Sequence, residues 1–236
     1  MFKNVQNSGD CSKGSQKALA TKRHLLETAL TLFKSKGYEK TTMRDIAKAA
    51  RVSLGSAYYY FKSKEEIVLT FYQFSLEKTL EYGDQIFKSN EPIEKKLNQF
   101  FEKKFDELKP LRKILKVIVV SSFDADNPMS PFSIQNKNKR TAVIKLFNEA
   151  IGRENLKVDS NLKPILGSLI WHIQMGLLCY WVFDNSENQI NSQKLTQKTL
   201  KLFIKFMGFS SMPFINGFNQ TFIDIFKLFG TVYERK

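Results

Sequence analysis

One stretch constrains this chain more than any other: Thr41 to Lys64, TTMRDIAKAARVSLGSAYYYFKSK. Its spacing predicts two short helices about a tight turn. The first spans about Met43 to Ala50, with Thr42 as N-cap and Ile46, Ala47 and Ala50 on its apolar face. The second spans about Leu54 to Tyr60, opened by Ser53. Val52, Ala57 and Phe61 can close a small core between them. Helices this short are unstable alone and must be braced by neighbours. A compact pair with Thr, Ser, Arg, Tyr and Lys on its outer side suits insertion into a DNA major groove.

The spacing T-x-x-D-I-A-x-x-A-x-V-S-x-G-x-x-Y-Y-x-F-K-x-K-E-E is carried by Thr42, Asp45, Ile46, Ala47, Ala50, Val52, Ser53, Gly55, Tyr58, Tyr59, Phe61, Lys62, Lys64, Glu65 and Glu66. Together with the preceding TKRHLLETALTLFKSKGYEKT, it resembles the DNA-binding domain of the tetracycline-repressor (TetR) family over residues 21 to 70. The resemblance implies an all-α fold: an N-terminal three-helix helix-turn-helix domain, then a helical bundle for ligand binding and dimerisation. It implies a ligand-responsive repressor with no enzymatic activity and no cofactor. The implied partners are double-stranded DNA and a second copy of the chain.

Within that frame Arg44, Tyr58, Tyr59 and Lys64 match positions that touch bases or backbone in the family. Arg44 has the chemistry for a bidentate guanine contact. Thr42 and Ser53 offer hydroxyls and free amides at helix starts, where phosphate is favoured. Leu54, Gly55 and Ser56 form the short-chained leading edge of the second helix, the part that meets base edges. Two positions depart from the family pattern. Arg51 sits in the turn where Gly is common, and Tyr60 stands where a polar residue is frequent.

A net charge of +14 over 236 residues, denser in the first third, favours an anionic partner. Cys11 and Cys179 alone cannot build a zinc site, and their contexts, a polar tail and an apolar helix, argue against a disulfide. No apolar run follows Met1, and a cytoplasmic location is expected. The longest apolar stretch, Gly167 to Phe183, is broken by His172 and Gln174 and is shorter than a membrane span needs. It reads as a buried helix, so a membrane partner is not expected. Glycine-rich phosphate loops, metal clusters and nucleophile elbows are absent from the sequence.

The expected organisation is a disordered tail over 1–20, the helix-turn-helix domain over 21–66, a ligand-binding and dimerisation domain over 67–208, and an amphipathic helix over 209–236. Helix 1 is expected from about Lys22, ended by Gly37. The run Asn136–Arg140, NKNKR, reads as a solvated face. Trp171, His172, Met175, Cys179 and Tyr180 bring polar tips into an apolar helix, which suits a pocket wall, and Phe101, Phe105 and Phe123 could add aromatic sides. Such a pocket would take a small apolar or aromatic effector. The alternative is a DNA-anchored interaction protein that docks a protein or membrane through the C-terminal Phe-rich helix, with Phe218, Phe222, Ile225, Phe226 and Phe229 on one side.

Overall fold

The structure, a computed structural model, describes residues 13–121, 127–154 and 156–234. All regular structure among them is helical. The chain divides into two compact units, one to Thr70 and one from Phe71.

In the first unit, α1 covers Lys13–Lys36. It begins nine residues before the sequence reading placed it, inside the segment expected to be disordered. Gln16 to Ala20 contains no helix breaker, and Ala, Leu and Lys propagate a helix already held further on. Leu25, Leu26, Ala29, Leu30 and Phe33 are buried along one face. Gly37 ends the helix at φ 92°, a value open to glycine, and its amide closes on Phe33 O at 3.1 Å.

Helix α2 (Met43–Ala49) starts on a reciprocal capping box. The Asp45 amide donates to Thr42 Oγ1 at 3.1 Å, and the Thr42 amide donates to Asp45 Oδ2 at 2.9 Å. Lys36 adds an ion pair to the same carboxylate at 2.6 Å. That lysine, then the Thr42 hydrogen bonds, hold the Asp45 carboxyl well below the usual range. The helix ends in a Schellman turn, with the Arg51 amide on Lys48 O and the Val52 amide on Ala47 O. Arg51 therefore takes φ 55°, the left-handed value its glycine-like position demands. Helix α3 (Leu54–Tyr60) is capped by Ser53 Oγ, which accepts from the Ser56 amide at 3.0 Å. Ala57, Phe61 and Ile46 are wholly buried beneath the pair.

Helix α4 (Lys64–Phe87) contributes its first residues to this unit and the rest to the second. The second unit continues with α5 (Ile93–Leu108), α6 (Arg112–Ser121), α7 (Lys137–Gly152), α8 (Leu166–Phe183), α9 (Ile190–Ser210) and α10 (Asn216–Glu234). Its core is aromatic: Phe87 stacks on Phe100 at 5.3 Å, and Phe147 meets Phe100 edge-on at 5.1 Å. Helix α8 is long and apolar enough to cross a bilayer, yet Leu166, Ile170, Trp171, Leu177 and Trp181 are buried in protein, which makes it a core helix. It lies close against α7 at Gly167, whose amide donates to Asn148 Oδ1 at 3.0 Å. A Cβ there would come within 2.6 Å of Ile144 O.

Helix α10 is held to the unit by a buried inner face. Asn219 donates to Ser210 O at 2.8 Å and to Asp159 Oδ2 at 3.1 Å, and Ile223 is buried. Phe226 meets the His172 ring edge-on at 5.2 Å. Phe218, Ile225 and Leu228 face solvent; Phe229 has no described side chain.

Candidate nucleic-acid interface and effector cavity

The first unit presents α3 outward. Leu54, Gly55, Tyr58 and Tyr59 are exposed, Tyr59 at 74%, and Tyr59 meets Tyr60 edge-on at 5.1 Å. Nothing among the described residues requires glycine at 55: an added Cβ would find only Ser53 Oγ, 4.0 Å away. The absent side chain leaves the outer surface of α3 open to close approach. Arg44 is exposed, with no ion pair to any described residue.

The hydroxyls are less alike than the sequence suggests. Thr42 Oγ1 lies 2.8 Å from Asp45 Oδ2 and spends its proton on that carboxylate, which leaves it no donor for a phosphate. Among the described residues Ser53 Oγ only accepts, so its proton is available. Lys64 is partly committed as well. Its Nζ donates to Tyr38 O at 2.9 Å and stands 4.5 Å from the centre of the Tyr38 ring. Tyr38 in turn donates to Glu65 Oε1 at 2.7 Å. Burial, then that carboxylate, pushes the Tyr38 hydroxyl far above the usual range. This is a brace that fixes the start of α4 to the end of α1.

The second unit contains a partly open cavity of about 390 Å³ between α4, α5, α6, α7 and α8. Four of the eight sequence-predicted pocket residues line it: Trp171, His172, Met175 and Cys179. Three lie elsewhere. Phe101 is fully buried in the core, and Phe105 stacks on Trp181 at 5.4 Å. Tyr180 faces solvent, because one residue beyond Cys179 turns 100° about α8. Phe123 lies outside the described residues.

The polar side of the cavity comes from residues the sequence reading assigned to other roles. Asn136, Lys139 and Arg140 belong to the run read as a solvated face, but they line the cavity. Asn136 is buried and donates to Pro128 O and Ser130 O at 2.8 and 2.9 Å. Arg140 donates to Pro131 O at 2.9 Å and lies over the Trp171 ring. Lys104 on α5 donates to Ser75 Oγ and Thr79 Oγ1, both on α4 and both at 2.8 Å, and to Glu107 Oε2 at 3.3 Å. Burial pushes the Lys104 ammonium below its ordinary value, and Glu107 draws it partly back. Two lining groups lack partners among the described residues: the buried Gln174 Oε1 and His172 Nε2. His172 Nδ1 lies 2.7 Å from Ser168 O, so it carries the proton and Nε2 holds a lone pair.

Two family models match. "Bacterial regulatory proteins, tetR family" covers residues 25–70, and "Tetracyclin repressor-like, C-terminal domain" covers residues 96–225. Among curated proteins, the chain is 44% identical over 55 residues to an uncharacterized HTH-type transcriptional regulator, YuxN, of Bacillus subtilis, covering 23% of this chain and 19% of that one. It is 37% identical over 90 residues to the negative transcriptional regulator of the biofilm operon icaADBC, IcaR, of Staphylococcus aureus, covering 36% of this chain and 46% of that one. The chain thus spans less than half the length of these relatives. Among solved structures, a TetR-family regulator from Pectobacterium atrosepticum superposes with a TM-score of 0.63 at 14% identity, over 84% of this chain and 97% of that one. The Thermus thermophilus repressor FadR in complex with lauroyl-CoA gives 0.57 at 17%, over 76% and 92%. At these identities the structural likeness shows the fold.

Proposed function

Because the chain belongs to the TetR family of DNA-binding transcriptional regulators, which are not enzymes, we propose that it is an effector-responsive repressor that binds a pseudo-palindromic operator as a homodimer. The observation that carries this reading is the outward face of the first unit. A Cβ at Gly55 would meet only Ser53 Oγ there, and Arg44, Ser53, Leu54, Tyr58 and Tyr59 are exposed on the same two-helix unit, with Ser56 partly so. Arg44 reads a base edge, Ser53 and the tyrosines hold phosphates, and Leu54 meets a thymine methyl. Thr42 acts by holding α2 in register, and Lys64 by fixing the start of α4, with its remaining donors open to the backbone.

Repression is supported by the relative IcaR, a negative regulator. Dimerisation is supported by α9, where Leu195, Leu202 and Phe209 are exposed seven residues apart, an apolar seam of coiled-coil period. Tyr180 and Phe183 of α8 are exposed too. A two-fold dimer then reads two half-sites. Effector response is supported by the cavity, and by the acyl-CoA found in the neighbour FadR. One helix, α4, gives Lys64 to the first unit and Tyr72, Ser75 and Thr79 to the cavity wall, a direct covalent path for coupling. The site of action is the cytoplasm, where the DNA is. The domains follow as helix-turn-helix, then effector and dimer unit. In this reading α10 is a structural part of the second unit, because its inner face is buried through Asn219 and Ile223.

The test is selection from a randomised duplex pool at stated salt, followed by sequencing. Enrichment of a pseudo-palindrome supports the reading. Uniform, salt-sensitive retention with no enriched site overturns it.

A further inference from the structure

The cavity walls are apolar, with Phe71, Leu108, Leu115, Phe132, Trp171 and Val182 among them. Among the described residues no Asp or Glu lines it, while Lys104, Lys139 and Arg140 do. The three cations are not equivalent. All three Lys104 donors are taken, by Ser75, Thr79 and Glu107. Arg140 Nη1 donates to the backbone carbonyls of Pro131 and Ser133, and its guanidinium lies over the Trp171 ring. Lys139 gives one hydrogen bond, to the neutral Asn136 Oδ1 at 2.9 Å, and among the described residues it has no carboxylate partner. Lys139 also sits in the first turn of α7, where the helix dipole adds positive potential. Burial already pushes its ammonium below the ordinary value, so a counter-ion would relieve a cost the protein now bears.

The second observation is Gln174. The residue is 4% exposed and lines the cavity, and its Oε1 meets no donor among the described residues. A buried amide of this kind is costly unless something in the cavity bonds to it. Lys139 and Gln174 are on different helices, α7 and α8, with apolar wall beside each.

We propose that the cavity takes an amphipathic anion: a carboxylate or phosphate head held at Lys139, an apolar body along the hydrophobic wall, and a second polar group, a hydroxyl or amide, at Gln174. This narrows the apolar or aromatic effector expected from sequence. It rests on the effector-responsive reading above. Binding is measured here without DNA, so the two fail separately.

Trp171 lies in the cavity wall, and its fluorescence reports occupancy in the full-length protein. The probes are dodecanoate, dodecyl phosphate, dodecanol and dodecyltrimethylammonium, each below its micelle concentration, and a hydroxydodecanoate series with the hydroxyl moved along the chain. One or both anions should bind about tenfold or more tighter than the alcohol and the ammonium, the size of one charge-assisted hydrogen bond. The tighter anion names the head group. Lys139→Gln should erase that preference while dodecanol binding stays unchanged. One hydroxy isomer should outbind dodecanoate, and Gln174→Leu should cancel its advantage. Equal binding of anion and alcohol, a preference for the ammonium, or an anion preference that survives Lys139→Gln overturns the proposal. The probe comparison on the unmodified protein stands even where a variant folds poorly.

Discussion

The Lys104 ammonium on α5 reaches across to Thr79 Oγ1 on α4 at 2.8 Å, with both side chains shut away from solvent. Ser75 and Glu107 complete its shell. Lys104→Met fills the volume but strips two hydroxyls and a largely buried carboxylate of their partner. We expect a loss of about 2–4 kcal/mol in urea unfolding of the second unit. Adding Glu107→Gln should restore part of it. If Lys104→Met is neutral, the network does not hold α4.

Arg51 pays for its place in the Schellman turn, because φ 55° is a region that disfavours a Cβ. Arg51→Gly should raise the stability of the first unit by about 0.5–1 kcal/mol, read from its denaturant midpoint. Operator affinity measured across salt concentrations separates a second role: a shallower salt slope in the variant would assign Arg51 a phosphate contact.

Leu202 is 68% exposed on α9 in the single chain, so replacing it leaves the subunit fold intact. Leu202→Asp should give a monomer by size exclusion with light scattering, unchanged helical circular dichroism, and much weaker operator binding. A variant that remains dimeric would move the interface away from the α9 seam.

His172 predicts a pH dependence. Burial pushes its imidazole below the ordinary value, the Ser168 carbonyl draws it partly back, and Arg140 pushes it down again. Its folded value is therefore below its unfolded value of about 6.5. As pH falls through that window the unfolded chain takes up the proton first, so stability present above about 6.5 declines toward lower pH. The second unit should lose more stability between pH 7.5 and 5.5 than its His172→Gln variant. Equal losses would mean the imidazole is charged in the fold.

Local chemistry made the first unit legible. Caps at Thr42 and Ser53, the stop at Gly37 and the strained turn at Arg51 each depend on residues within four positions, and all are found. The cavity was only half legible for the opposite reason. Helical period marks α8 as apolar, but it cannot say which aromatic faces a void and which faces core, so Phe101 and Phe105 looked the same as Trp171. Asn136 and Arg140 look solvated because their placement depends on loop carbonyls of Pro128, Ser130 and Pro131, which no periodicity encodes.

Helix α8 puts Trp171, Met175 and Cys179 toward the cavity, while Tyr180 and Phe183 sit on its outer side. In the proposed effector-responsive dimer, two selection pressures would therefore meet on one rod of eighteen residues. A lineage drifting toward a new effector through α8 also alters which chain it can mate with. Divergence that keeps the mate has to proceed through α4 and α7. Duplicated copies that change α8 are the ones that stop cross-pairing with their parent.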